Sequence, residues 1–307
     1  MRALVTGISG FAGTHLKNEL EQNGYEVYGL NEITDAGIRR INICDHGSVC
    51  TAIKEVDPDA VFHLAAQSMA ARSWLHPQET LKINIVGTTN LLEAVREIAP
   101  KARVLLVGSA DQYGLANHNC AVIDESMPLS PKTPYAVSKC AQEYLGQMYA
   151  ATYGMQICMT RTFSYGGSGH PKGFVLSDFA SGIADVEAGK ADSLRVGNLD
   201  SERDFTHIKD IVRAYRLLNE RGIAGEVYNV GSGEVYSIRE ILQHLLDRAV
   251  CDIPVVQADS QKRPKDVRGA ACNHDKLTAL TGWVPEKTIE EMIEDELEYW
   301  RRQTHML

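Results

Sequence analysis

The stretch Thr6-Gly7-Ile8-Ser9-Gly10-Phe11-Ala12-Gly13 decides the fold of this chain of 307 residues. It follows an apolar run at 3–6, which predicts a buried strand, and it opens an amphipathic pattern that predicts a helix over 11–23. Glycines spaced GxxGxxG permit a tight turn and a close approach of the backbone to pyrophosphate, and the helix start offers free N–H groups. Strand, turn and helix together predict a dinucleotide-binding loop.

The same alternation of short apolar runs and amphipathic stretches continues along the chain. Strands are predicted at 26–30, 60–64, 103–107, 157–161 and 227–230, and helices at 49–56, 80–99, 135–153, 209–219, 237–251 and 288–302. This order predicts an α/β fold with a Rossmann-type, doubly wound parallel sheet. We expect a dinucleotide-binding domain over 1–162 plus about 205–231. A smaller substrate-binding region is expected over 163–204 and 232–307, where the pattern weakens after a glycine-rich loop.

Composition excludes several classes of protein. The net charge of −9 argues against a nucleic-acid surface, and no apolar run approaches the ~20 residues that span a bilayer. The start of the chain has no pattern of a signal peptide, and seven cysteines without a CxxC pair fit reduced thiols, so a cytoplasmic location is expected. The ten histidines are dispersed, and we predict no metal site.

A tyrosine and a lysine one helical turn apart supply candidate chemistry. Of the 12 tyrosines, only Tyr135 has a lysine, Lys139, four residues later. Ser109 follows the strand predicted at 103–107, and the carboxyl ends of strands are where open α/β sheets place their sites. Ser109 would hold a substrate oxygen and Tyr135 would exchange its proton, with the Lys139 charge lowering the tyrosine pKa from about 10. Asp111 is either a further acid–base group or an acceptor for backbone N–H groups of its turn.

These motifs resemble the extended short-chain dehydrogenase/reductase family of nucleotide-sugar enzymes, and the resemblance covers nearly the whole chain. It is carried by TGxxGFxG at 6–13, HLAA at 63–66, Ser109, YxxxK at 135–139, RTF at 161–163, RDFT at 203–206, YNVGSG at 228–233, RP at 263–264 and GWVP at 282–285. Within the family the chain is most similar to the GDP-4-keto-6-deoxy-mannose reductases, which share the Arg-Asp-Phe-Thr, Gly-Phe-Val and Thr-Gly-Trp segments.

The resemblance implies reduction of a 4-keto-6-deoxy nucleotide sugar with NADP(H) or NAD(H), with GDP-4-keto-6-deoxy-D-mannose giving GDP-D-rhamnose. It implies a homodimer that pairs through the helices matching 80–99 and 135–153. The catalytic residues would be Ser109, Tyr135, Lys139 and Asp111. The cofactor-binding residues would be Gly7, Ser9, Gly10, Phe11, Ala12, Gly13, Asn31, Asn42, Ile43, Leu64, Ala65, Ala66, Tyr135, Lys139 and Phe163. The substrate-binding residues would be Gln67, Ser164, Phe174, Val175, Arg203, Arg263 and Asp266.

Other functions within and beyond the family stay open. A GDP-mannose 4,6-dehydratase needs an additional acid and base, and the positions after Ser109 hold Ala110, which transfers no proton, and Asp111, which is shorter than the usual Glu. A 4-epimerase would use the same three residues with a retained NAD. A regulatory protein that senses the cofactor would lack part of that set, which is complete here. Ser164 stands where the family commonly has Asn, so contacts to the sugar nucleotide differ at this point.

Overall fold

The structure is a computed structural model of the chain. It describes residues 1–31, 38–114, 122–257 and 269–305, and for residues 31, 38–40 and 305 it describes the backbone alone. Within these ranges no helix is both long and apolar enough to cross a membrane.

Strands and helices alternate along the chain. The strands are β1 (Arg2–Thr6), β2 (Glu26–Asn31), β3 (Ile38–Arg40), β4 (Ala60–His63), β5 (Arg103–Val107), β6 (Val122–Ile123), β7 (Ile157–Thr162), β8 (Ser164–Gly166), β9 (Leu194–Val196), β10 (Glu202–His207), β11 (Val227–Val230), β12 (Val235–Ser237), β13 (Val255–Gln257) and β14 (Ala271–Cys272). The helices are α1 (Phe11–Gln22), α2 (His46–Val56), α3 (Ala70–Leu75), α4 (Pro77–Leu81), α5 (Gly87–Ile98), α6 (Pro134–Tyr153), α7 (Val175–Glu187), α8 (Ile208–Arg221), α9 (Ile238–Leu246), α10 (Asp275–Thr281) and α11 (Ile289–His305).

The main sheet confirms the predicted fold class. Its seven strands are parallel and run in the order β11-β7-β5-β4-β1-β2-β3. The six predicted strands lie within a residue or two of their predicted bounds, and β3 is an additional edge strand. The direction of winding reverses between β1 and β4, and ligands of open α/β sheets bind at such a switch point.

Apolar helix faces cover both sides of this sheet. On one side α2 and α5 pack over β1, β4 and β5 around residues such as Leu4, Ile53 and Leu92. On the other side α1, α8 and α10 bury a second cluster that contains Leu16, Tyr215 and Trp283. Because both faces are covered, the strands are apolar along their whole length, which is why they were visible in the sequence.

A third core belongs to the later part of the chain. It joins α7, α9 and α11 through side chains that include Phe179, Ile241 and Met292, beside the small sheets β12-β10-β8 and β13-β9. Helix α7 had no counterpart in the prediction. The helix predicted over 237–251 ends at Leu246, because the following residues form tighter turns in which Arg248 N–H reaches Leu245 O.

The helix predicted over 80–99 also differs from the structure. Helical backbone begins at Pro77, and the stretch Lys82–Val86 forms a π-helical turn before α5. Asn84 lies in this turn, where its side chain accepts from Gln67 N and donates to Gln67 O and Ser138 Oγ. The wider turn thereby connects the loop after β4 with the helix that carries Tyr135, and such turns often mark functional sites.

Candidate active site

The loop between β1 and α1 has the shape of a phosphate cradle. Gly7 adopts φ +73, and a Cβ on Gly13 would lie 2.2 Å from Gly7 O and 2.7 Å from Ile8 Cα. Only glycine therefore permits this crossing of helix and strand. No side chain caps the N-terminus of α1 at Gly10, so its first N–H groups are available to an anion. The loop fits a dinucleotide pyrophosphate on geometry alone.

Buried hydrogen bonds brace the floor beneath this loop. Ala65 N–H donates to Thr6 Oγ1, which lies 2.8 Å from His63 Nδ1, and His63 Nε2 lies 2.9 Å from Thr88 Oγ1. Thr88 donates its own proton to Asn84 O, so His63 donates from Nε2 and accepts at Nδ1. Burial lowers the pKa of His63 to about 3, which keeps the ring neutral. The strand ends on both sides of the predicted cofactor path are thus fixed to each other.

Ser109 is held at the carboxyl end of β5 by its own short turn. It caps the 3₁₀ turn at Ala110–Tyr113, where Ser109 Oγ accepts from Asp111 N and Gln112 Oε1 accepts from Ser109 N. Gln112 donates in turn to Glu143, a buried carboxylate on α6 that pairs with Arg161 at 2.7 Å. The same helix therefore orients Ser109 and carries Tyr135, and the Ser109 hydroxyl is near enough to Tyr135 to lower the pKa of the phenol.

Tyr135 is buried at the first turn of α6 and is held as a neutral phenol. Burial raises its pKa well above 10, and the nearby Asp111 carboxylate and Tyr165 add to this increase. The hydrogen bond from Ser109 acts in the opposite direction and is outweighed. The sequence-based expectation that Lys139 lowers the pKa of Tyr135 is therefore not met. A phenol in this state is a proton donor rather than a base.

Lys139 lies one turn further along α6, at the wall of the cleft. Its Nζ donates to Val107 O at 2.7 Å and to Gln142 Oε1 at 3.0 Å. Burial lowers its pKa to about 7, so the charged and neutral forms are close in free energy near neutral pH. These contacts direct the amine toward the end of β5, which explains why it does not stabilise a phenolate at Tyr135.

Asp111 faces the cleft beside Tyr135. The structure records no hydrogen bond to its carboxylate from the described residues, although the backbone N–H of Asp111 is bound by Ser109. The side chain is accessible from the cleft, yet protein surrounds it closely enough that burial raises its pKa, while Arg203 lowers it. Its carboxylate therefore does not accept backbone N–H groups of its own turn and stays available for acid–base chemistry.

One cleft of about 1600 Å³ brings the predicted residues together. From the predicted cofactor set it is lined by Gly7, Ser9, Gly10, Phe11, Ala12, Gly13, Asn42, Ile43, Leu64, Ala65, Ala66, Tyr135, Lys139 and Phe163. Ser109, Asp111, Gln67, Ser164, Phe174, Val175 and Arg203 line the same cleft. The side chain of Asn31, together with Arg263 and Asp266, falls outside the described residues. The Gln67 amide is engaged within its own region, with Thr80 and the Met69 backbone.

Sequence reasoning missed two residues in the part of the cleft that is lined by residues 163–204. Arg195, the outward residue of β9, is exposed there, and no carboxylate pairs with it within the described ranges. His170 is 94 % buried, stacks between Phe11 and Phe174 at 4.6 and 4.5 Å, and its Nδ1 has no hydrogen-bond partner among the described residues. The sequence shows little at these positions: an isolated Arg in a three-residue strand, and a His in a glycine-rich loop.

The sequence and the fold match known proteins. The sequence model of the GDP-mannose 4,6 dehydratase family matches residues 4–296. A GDP-6-deoxy-D-mannose reductase from Pseudomonas aeruginosa is 35 % identical, over 97 % of this chain and 97 % of the relative. A GDP-mannose 4,6-dehydratase from Yersinia enterocolitica is 28 % identical, over 95 % of this chain and 91 % of the relative. The structure of RMD from Pseudomonas aeruginosa complexed with NADPH superposes with a TM-score of 0.88 at 33 % identity, over 98 % and 99 % of the two chains.

Proposed function

The chain belongs to the GDP-mannose 4,6 dehydratase family, a branch of the extended short-chain dehydrogenases/reductases, and within it we propose that the protein reduces a 4-keto-6-deoxy nucleotide sugar. The family comprises NAD(P)-dependent enzymes that act on nucleotide sugars. The favoured reaction converts GDP-4-keto-6-deoxy-D-mannose to GDP-D-rhamnose with NADPH or NADH. The observation that carries this proposal is that Ser109 and a buried Tyr135, whose pKa burial raises, line the same cleft.

The two halves of the cleft take different ligands in this proposal. The dinucleotide lies along Gly7 to Gly13 and the strand ends of the first domain, which spans 1–162 and about 205–231. The sugar nucleotide occupies the region of 163–204 and 232–307. Arg195 and Arg203 supply positive charge there for its diphosphate. Bound NADPH or NADH supplies the hydride for the carbonyl carbon.

The chain's own residues handle the carbonyl oxygen. Ser109 donates a hydrogen bond to it and sets its place beside Tyr135. Tyr135 then transfers its proton to the oxygen as negative charge develops there, and its raised pKa suits an acid that keeps this proton until needed. Lys139, with a pKa of about 7, lies one turn away and holds the end of β5 beside Ser109 through its hydrogen bond to Val107 O.

A 4,6-dehydratase is the second candidate, and Asp111 is the observation that favours it. Its carboxylate faces the cleft, has a raised pKa and has no hydrogen-bond partner among the described residues. Removal of water across two sugar carbons needs such an extra group, whereas simple reduction does not. Ala110 beside it offers no second one. A 4-epimerase would use the same serine, tyrosine and lysine with a retained NAD.

Absorbance of the reduced nicotinamide distinguishes these reactions. The protein is mixed with NADPH or NADH and freshly prepared GDP-4-keto-6-deoxy-D-mannose, and stoichiometric loss of the band is expected. Conversion of GDP-mannose without net loss of cofactor would instead assign the dehydratase. Asp111→Asn sharpens the choice, because a reductase should keep turnover within a few fold and a dehydratase should lose it by orders of magnitude.

A homodimer is part of the proposal. Val137, Tyr144 and Met148 form an exposed apolar stripe on α6, and Val86 lies exposed on the helical stretch packed beside it. These helices match the ones through which family members often pair. Light scattering should give twice the chain mass, and Tyr144→Glu should shift the protein to monomer; a monomeric parent protein would refute the pairing. The cytoplasmic location stays a prediction.

A further inference from the structure

A cluster of three metal-ligating side chains lies outside the cleft. His46 and Cys50 occupy adjacent turns of α2, and Glu97 comes from the end of α5. One potential ligand atom from each of the three lies within 4.8 Å of the others. His46 and Glu97 are exposed and Cys50 is half-buried, so solvent reaches the group. We call these three residues the α2–α5 cluster.

The separation between His46 and Cys50 is that of two ligands in a coordination shell. His46 Nε2 lies 3.5 Å from Cys50 Sγ. With a zinc–sulfur distance of about 2.3 Å and a zinc–nitrogen distance of about 2.0 Å, a tetrahedral angle separates the two ligand atoms by roughly 3.5 Å. Residues four apart share one helix face, so backbone geometry sets this separation.

The surrounding residues hold the two helices together in this arrangement. Asp45 caps α2 by accepting from Gly47 N, and Asn90 on α5 donates to Ile43 O just before α2. Glu97 is paired with Arg96 at 3.0 Å, but Arg96 keeps a closer partner in Glu93 at 2.6 Å. Glu97 can therefore turn to a cation without leaving the guanidinium unpaired.

The donor set selects the kind of ion. A thiolate and an imidazole are ligands that zinc and related borderline-soft ions prefer, whereas magnesium and calcium take oxygen ligands. Three protein ligands in a solvent-reachable site leave a fourth position for water. We infer that the α2–α5 cluster is a binding site for a divalent ion of the zinc class, which clamps α2 to α5. On binding, the Cys50 thiol proton passes to solvent and the sulfur–metal bond forms.

The site would add a cross-link next to the cleft without entering it. Asn42 and Ile43 line the cleft and lie four and three residues before the start of α2, so the clamp would fasten the segment that holds one end of the predicted cofactor path. This inference replaces the sequence-based prediction that the chain has no metal site. It stands on the cluster geometry and does not depend on the proposed reaction.

Cobalt and zinc titrations test the inference on the full-length, tag-free protein after treatment with a chelator. Co²⁺ should produce a sulfur-to-cobalt absorption band and the visible bands of tetrahedral cobalt at one equivalent, and Zn²⁺ should displace it and raise the Tm. Cys50→Ser should abolish the sulfur band. Glu97→Gln, a change of similar shape at an exposed position, should weaken zinc binding at least about tenfold, because even outer-shell partners cost 10–100-fold.

The matched control is Cys251→Ser, which removes an exposed thiol elsewhere on the surface. It should keep the cobalt spectrum and the zinc affinity of the parent protein. Circular dichroism and the metal-free Tm establish that each variant is folded. The inference is overturned if the parent protein shows no sulfur band, if the band survives in Cys50→Ser, or if Cys251→Ser removes it.

Discussion

The two halves of the cleft are built from different kinds of segments. In the cofactor half, one local segment, 7–13, forms the phosphate cradle, and short segments at neighbouring strand ends complete the wall. In the substrate half, segments far apart in the chain must meet: Glu296 accepts from Gly167 N, and Asp204 accepts from Cys272 N and Ser232 N. The first half is specified by local sterics, and the second by long-range packing. Mutations should therefore act separately on the two halves.

The largest effect is expected where the halves meet, at Tyr135. Tyr135→Phe removes the proton donor, and loss of general acid catalysis should lower kcat by about 10²–10⁴. Binding of both ligands should change little, since the ring and its burial are kept. Fluorescence titration with NADPH and steady-state kinetics measure the two quantities. Tyr144→Phe, on the exposed face of the same helix, is the control, and near-normal turnover in Tyr135→Phe would refute the assigned role.

A single added methyl group should disrupt dinucleotide binding in the cofactor half. A Cβ on Gly13 would lie 2.2 Å from Gly7 O, so Gly13→Ala must displace the loop. We expect dinucleotide affinity to fall on the order of a hundredfold, about 3 kcal/mol. At Gly10 the corresponding contact is 3.2 Å, and Gly10→Ala should cost much less. Calorimetric titration with NADPH compares the pair; equal affinities would show that the crossing does not limit binding.

The substrate half should respond to the loss of a cation. Arg195→Ala removes a charge proposed to face the diphosphate, and KM for the sugar nucleotide should rise about tenfold, equal to 1.4 kcal/mol. The affinity for NADPH should stay unchanged, because Arg195 lies in the other half of the cleft. Arg239→Ala is the matched control, since Arg239 is exposed and paired with Asp200 on the surface. A parallel fall in the affinity for NADPH would contradict the proposal that the two ligands occupy different halves of the cleft.

The same difference explains what the sequence could predict. The strands of the main sheet were found because helices cover both faces and leave uninterrupted apolar runs, and Gly7, Tyr135 and Lys139 follow from spacing within single elements. Strands of three residues, such as β9, are too short to show a pattern, so Arg195 had no visible context. Helix α7 follows the irregular loop at 166–173, and its apolar positions at 176, 179, 180 and 183 have the spacing of a helix.

The prediction from the sequence was weakest for the pKa of Tyr135. One turn of helix between Tyr135 and Lys139 suggested that the lysine would favour a phenolate. Burial and the Asp111 carboxylate dominate instead, and Lys139 donates to Val107 O. Desolvation depends on the whole surroundings of a group, which only the assembled cleft supplies.

The stack that joins the two halves is expected to affect stability rather than activity, and only in acid. Burial lowers the pKa of His170 to about 4, below the value of about 6.5 in an unfolded chain. Between these values the unfolded state binds more protons, so the free energy of unfolding falls as pH falls from 6.5 toward 4. His170→Phe keeps an aromatic ring between Phe11 and Phe174 and removes this proton uptake.

At pH 7 the free energy of unfolding of the variant should therefore be close to that of the parent protein. From pH 7 to pH 5 the free energy of unfolding of the parent protein should fall by about 2 kcal/mol more than that of the variant. Urea unfolding at the two pH values measures the change. His76→Phe, at an exposed histidine, should leave the pH dependence as it is in the parent protein. If His170→Phe also leaves it unchanged, His170 does not have the lowered pKa of a buried neutral base.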